Sequence, residues 1–192
     1  MKRVVVFCGS SSGSDARFTA QAILLGETLA RQQIALVYGG ARIGLMGAVA
    51  DGALRAGGQV IGVLPRFLQS KAIAHADLTE LHLVDSMHER KLLMNELCDG
   101  AIALPGGFGT LEEFFEVWSW RQLGYHHKPI GLLSVEGFFD GLIGFLSQAT
   151  ERGFIGVPQQ QLVQHGSDVQ GLLSGLAHAA GVQTPGSGLG QI

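Results

Sequence analysis

Short apolar and β-branched runs alternate along the chain with segments whose apolar residues recur at helical spacing, and Gly, Pro, Ser or Asp marks each change. Val4 to Cys8 reads as the first strand and Ile34 to Tyr38 as the second. Between them a helix from about Asp15 to Gln32 sets Phe18, Ala22, Leu25 and Leu29 on one face. A helix to about Ala56 follows Gly39-Gly40, and Val60 to Leu64 makes a third strand ended by Pro65. Pro65 to Leu78 has no clear period and reads as a loop with room for a helical turn. Leu81 to Val84, Ala101 to Leu104 and Ile130 to Leu133 are further strands, separated by helices Met87 to Leu97 and Leu111 to Leu123. A last helix pair covers about Phe138 to Glu151 and Asp168 to Ala179.

Strands joined through helices lie parallel and need cover on both sides. The predicted fold is therefore α/β, a doubly wound (Rossmann-like) parallel sheet with helices on both faces and right-handed crossovers. One domain is expected over residues 1–180. The Gly-, Pro- and Ser-rich stretch 181–192 offers little to bury and reads as a frayed tail. There is no internal repeat. In such a fold, ligands belong at the carboxyl edge of the strands.

Composition narrows the partners. Charged residues are 15% of the chain, against about 25% in an average protein, and the formal net charge is -3. No broad positive field exists to hold a nucleic-acid backbone, although one small anion is compatible with this balance. The opening apolar run stops at Cys8-Gly9-Ser10, too short for a signal-peptide core, and no stretch reaches the ~20 apolar residues of a membrane span. A soluble, cytoplasmic protein with no membrane partner is expected. Cys8 and Cys98 form no CxxC and read as small buried apolar residues.

Three glycine clusters each follow a strand and precede a helix: Gly9-Ser10-Ser11-Ser12-Gly13, Gly39-Gly40-Ala41-Arg42-Ile43-Gly44 and Gly106-Gly107-Phe108-Gly109-Thr110. In a parallel sheet all three open on one edge. Glycine lets a ligand approach the amides, and the helix start behind it favours an anion, so a phosphate or carboxylate site is inferred. Its chemistry is narrowed by what is missing. The second cluster lacks the lysine of a Walker loop, no cluster matches GxGxxG with a ribose-binding acid, and the HExxH begun by His88-Glu89 is broken by Leu92. His126 and His127 are neighbours that point apart. Neither ATP hydrolysis, NAD nor a metal is indicated.

Two charged segments remain. Ser86 to Glu89 forms a capping box, and Arg90 and Lys91 follow at once, against the helix dipole, as if serving an anion. Thr110 to Glu113 forms a second capping box, in which Glu113 either bonds back to the Thr110 amide or, one turn beyond a phosphate loop, faces the attached ribose; Glu112 is the lesser candidate. Leu111, Phe114, Phe115, Val117, Trp118 and Trp120 spread beyond the stripe that one core would bury, which suggests a partner on the second side. Met46 reads as a core contact.

Taken together, YGGARIGLMG (Tyr38 to Gly47), SMHERK (Ser86 to Lys91) and PGGFGTLEE (Pro105 to Glu113) resemble the lonely-guy family of cytokinin-activating phosphoribohydrolases, over nearly the whole chain to about residue 178. The resemblance implies hydrolysis of the N-glycosidic bond of an N6-substituted adenosine 5′-monophosphate to free base and ribose 5-phosphate, without metal or organic cofactor. It implies Arg90 and Glu113 as catalytic residues and a homodimer. The candidate substrate- and phosphate-binding set is Ser10, Gly39, Gly40, Met87, Lys91, Gly106, Gly107, Phe108, Gly109, Thr110, Glu112 and Ser119. Two positions depart from the family pattern: Ala41 replaces the third glycine of GGGxxGLMG, and Ala72 stands where many members carry a glutamate. Two alternatives stay open at this level, a general AMP nucleosidase in nucleotide salvage and a non-catalytic carrier of a nucleotide-like molecule such as molybdenum cofactor.

Overall fold

The computed structural model describes residues 1–69 and 74–181, so Ala72 lies outside the described residues, as does 182–192. Its first half runs β1 (Arg3–Phe7), α1 (Ala16–Arg31), β2 (Ala35–Tyr38), α2 (Gly44–Arg55), β3 (Val60–Pro65), α3 (Arg66–Gln69) and β4 (Glu80–Val84). The second half runs α4 (Met87–Glu96), β5 (Gly100–Ala103), α5 (Phe108–Gln122), β6 (Ile130–Leu133), a 3-10 turn (Val135–Gly137), α6 (Asp140–Glu151), α7 (Val157–Gln160), β7 (Val163–Gly166) and α8 (Val169–Gly181).

All seven strands pair in parallel, in the order β4-β3-β2-β1-β5-β6-β7. Strand alternation divides the core into two layers. Val4, Val6, Leu36 and Ile102 pack beneath α1, α2 and α8, through Leu25, Val49 and Leu172 among others. Val5, Phe7, Val37 and Ala103 pack on the other face beneath α4, α5 and α6, through Met94, Phe114, Trp118 and Leu146. This is the doubly wound sheet that the alternation of strands and helices predicts. Its strand order reverses between β1 and β5, which opens a crevice at their carboxyl ends.

The structure corrects the sequence reading at β7 with α7 and at the start of α5, and agrees with it at α3. A seventh strand, β7, and the one-turn α7 before it went unpredicted, because VQHG carries a single β-branched residue and no alternation. The crossing after β3 holds the helical turn α3. The other correction concerns α5: it begins at Phe108 with Gly107 as its N-cap and no side-chain cap, so Thr110 sits buried inside the first turn and forms no capping box.

Candidate functional site

The three glycine loops are stitched into one floor. Gly9 N donates to Pro105 O (3.0 Å) and Leu45 N to Gly9 O (3.0 Å), joining the turn after β1 to those after β5 and β2. Gly44 has φ +58 and lies so close to the Ser10-Ser11 backbone that a Cβ there would come within 2.6 Å of Ser11 N. Ser10 thus contributes backbone beneath the second loop while its side chain is exposed. A Cβ on Gly106 would lie 2.8 Å from Gly9 N and overlap Thr110 Oγ1. Gly107 and Gly109, by contrast, face open space. At the start of α5 the first backbone N–H groups have no intrahelical partner, so this opening is lined by free donors and the positive end of a helix dipole.

Ala41, the departure from the family pattern, fits without strain. It is buried, is not among the described residues with positive φ, and forms an antiparallel bridge with Ala74. His75 N donates to Gly40 O (3.0 Å) beside it, and the His75 ring meets Asp51 Oδ1 (3.0 Å). The segment after α3 therefore braces the second glycine loop.

Arg90 reaches this floor from α4. Ser86 caps that helix, its Oγ accepting from Glu89 N (3.1 Å); Glu89 reaches back to Asp85 N (2.9 Å), one residue further than the predicted box. Arg90 Nε donates to Val63 O and Nη2 to Gly39 O, both at 3.1 Å, while Nη1 lies 3.6 Å from Glu113 Oε1 and 3.9 Å from Met87 Sδ. Gly39 has no side chain where the guanidinium lies: a Cβ there would overlap Nη2 and approach Cζ to 3.0 Å. A planar fork with its donors fixed in this way acts as a cation of set position.

Glu113 lies one turn into α5 with its side chain only 12% exposed. Burial holds its carboxyl above the ordinary range; Arg90 and Lys91 oppose that shift, while Glu112 and Glu116 reinforce it. The Cys8 thiol, at the end of β1, is pushed up by burial and by the Glu113 charge, so it stays neutral. Lys91 leans along α4 onto Glu112 Oε1 and onto Glu116 Oε1 (3.0 Å).

The structure thus brings together Arg90, Glu113, Gly39, Gly40, Met87, Ser10 and the Gly106 to Thr110 loop. Phe108 is 95% exposed at the rim. Lys91 and Glu112 are paired with each other rather than free. Ser119 is exposed and lies ~9 Å further along α5 at 1.5 Å per residue, turned ~120° from Glu113, outside this cluster. Glu116 was missed, although its spacing of four from Glu112 puts the two on one face.

An anion-binding floor of three βα turns at the strand-order reversal, with one fixed cation beside one buried carboxylate, is the site of a nucleotide-handling α/β protein. A family model described as "possible lysine decarboxylase" matches residues 46–176. The chain is 45% identical to the cytokinin riboside 5′-monophosphate phosphoribohydrolase of Rhodococcoides fascians over 91% of this chain and 89% of that one. It is also 45% identical to a probable enzyme of the same name, LOGL5, of Oryza sativa subsp. japonica, over 84% of this chain and 66% of that one. Among solved structures, the Moco carrier protein of Chlamydomonas reinhardtii superposes with a TM-score of 0.72 over 94% of this chain and 98% of that one, at 22% identity. That likeness is one of fold.

The chain belongs to the LOG family of phosphoribohydrolases. The decarboxylase description does not suit the lysines the structure describes, since pyridoxal phosphate is carried on a lysine. Among the described lysines, Lys91 is held by two carboxylates, and Lys2 and Lys128 precede strands at the opposite, amino edge.

Proposed function

We propose that this chain hydrolyses the N-glycosidic bond of N6-substituted adenosine 5′-monophosphate, releasing the adenine-type base and ribose 5-phosphate. The observation that carries the reading is the Arg90–Glu113 pair, 3.6 Å apart beside the open start of α5. The substrate phosphate takes the free amides of Gly107 to Thr110, which fixes the remote end of the nucleotide and lowers the entropic barrier to attack. The ribose then faces Glu113. As the bond from C1′ to the base nitrogen breaks, the electron pair leaves with the base and positive charge grows on the sugar ring. Glu113 stabilises that charge and orients the attacking water, whose oxygen adds to C1′ while the proton it loses passes, through the Glu113 carboxylate, to the departing base, so that neutral base and ribose 5-phosphate are released. Arg90 holds Glu113 and the phosphate in register rather than donating a proton.

Two further features belong to the same reading. The cytoplasm suits two buried free thiols, Cys8 and Cys98, and no helix among the described residues is long and apolar enough to cross a membrane. A homodimer suits the exposed Leu92, Leu123 and Tyr125, which with Trp120 line a shallow groove of about 480 Å³ on α4 and the end of α5.

The test is a panel of AMP, its N6-isopentenyl form and the two parent nucleosides, with mass detection of released base. Monophosphates are expected to react and nucleosides poorly. Absence of free base from every monophosphate overturns the reading, and a kcat/KM favouring unsubstituted AMP replaces it with a general nucleosidase. Glu113→Gln is expected to lower kcat at least ~10³-fold, with phosphate affinity nearly intact. Sedimentation of the same protein is expected to give twice 20.3 kDa.

A further inference from the structure

Resemblance offers Lys91 as a substrate contact, but the geometry gives it another task. Its side chain is 10% exposed, and its ammonium is engaged by Glu112 and by Glu116, four residues apart on one face of α5. A phosphate would have to compete with two carboxylates for it. Glu113 stands between those acids in sequence and turns toward Arg90 instead. Three carboxylates on adjoining faces of one helix repel each other, and the buried one suffers most, because its charge is least screened.

We propose that Lys91 is a positioning residue: held between Glu112 and Glu116, it ties α4 to α5 and cancels the two acidic neighbours of Glu113, so that Glu113 meets the sugar as an anion. The proposal rests on the role given to Glu113 above. The groups facing Glu113 are Arg90 and Lys91 from α4, Glu112 and Glu116 from its own helix, and the neutral Cys8 thiol from the end of β1. Among the described residues, only Lys91 touches the two that oppose ionisation. Burial alone already raises the Glu113 carboxyl. Removing the lysine charge adds two unbalanced anions to that effect.

The pH profile of kcat/KM for N6-isopentenyl AMP reads this directly. Lys91→Met is expected to move the acid limb about one unit to higher pH, a tenfold loss on that limb that shrinks above it. Lys91→Arg keeps the wild-type limb. Glu112→Gln/Glu116→Gln, with Lys91 intact, moves the limb to lower pH, and the triple variant Lys91→Met/Glu112→Gln/Glu116→Gln returns it toward wild type. If Lys91→Met raises KM with the limb unmoved and the triple variant stays impaired, Lys91 is a phosphate ligand and the proposal is wrong. It is equally wrong if neither KM nor the limb responds. Should Lys91→Met fold poorly, the double variant, which retains the lysine, decides by the direction of its shift. Carbon-13 carboxyl titration of Glu113 in the same proteins gives the answer without turnover. A wild-type protein that releases no base therefore sinks the functional reading while this one is still judged.

Discussion

Arg90 depends on a residue fifty-one positions away. Its Nη2 donates to Gly39 O and occupies the space that any Cβ on Gly39 would need, so the second glycine loop and the Arg90 guanidinium are shaped to each other. Gly39→Ala forces the guanidinium out of its seat and breaks that bond. Because φ at Gly39 is not in the left-handed region, the backbone itself tolerates the change, and stability should fall by only about 1 kcal/mol. The effect on catalysis should be larger: displacement of a positioning group by an ångström costs ~10²-fold in kcat/KM. A variant that melts near wild type and keeps activity within threefold would remove Arg90 from the mechanism. The sequence made Arg90, Lys91 and Glu113 legible, since cations in a first turn and an acid behind a glycine loop stand out locally. It hid the clearance at Gly39 and the pairing of Lys91 with Glu116, because both arise from contacts between elements that only the folded sheet brings together.

At the level of elements, strands buried on both faces announced themselves as continuous apolar runs, and helices as apolar stripes. What escaped were pieces whose place is set by neighbours: β7 is ordered by pairing with β6 rather than by its own composition, and α5 starts at Phe108 because the loop geometry, not a capping side chain, ends there. Glycines in helices give the sharpest contrast. Gly26 of α1 lies against α2, where an added Cβ would overlap Val49 O and come within 2.7 Å of Ala53 N, so the two backbones meet with nothing between them. Gly144, inside α6, faces open space with ordinary φ. The same substitution should therefore have opposite signs. Gly26→Ala is expected to lower the urea midpoint by the equivalent of about 2 kcal/mol, since backbone atoms cannot step aside. Gly144→Ala should raise stability by up to about 1 kcal/mol through helix propensity alone. An unchanged midpoint for Gly26→Ala would mean that α1 and α2 are not in close contact in solution.

For the molecule as a whole, the sheet has two ends with different chemistry, and a buried histidine at the amino end makes stability sensitive to acid. His126 precedes β6 there, 8% exposed, with Nδ1 accepting from Lys128 N (3.3 Å) and Nε2 buried toward the Val117 backbone. Its ring is therefore neutral, with the proton on Nε2. Burial, followed by the charge of Lys128 and then those of Arg121 and His127, depresses its pKa to about 4 against the opposing pull of the Val117 backbone. An unfolded histidine takes up a proton near pH 6.5, so between those values the unfolded chain binds more protons than the folded one. Stability from this source is complete above about pH 6.5 and is lost as pH falls toward 4, on the order of 2 kcal/mol once partial solvent screening is allowed for. Glu113 contributes with the opposite sign, because its raised carboxyl is protonated more readily in the folded state and gains stability in acid. A single wild-type curve therefore mixes the two. The difference between wild type and His126→Asn separates them, since the amide oxygen keeps the acceptor for Lys128 N but cannot titrate. Urea unfolding at pH 7.5 and 5.0 should show a smaller acid loss for His126→Asn than for wild type, while Glu113→Gln should show a larger one. Parallel losses in all three proteins would place the acid sensitivity elsewhere in the fold.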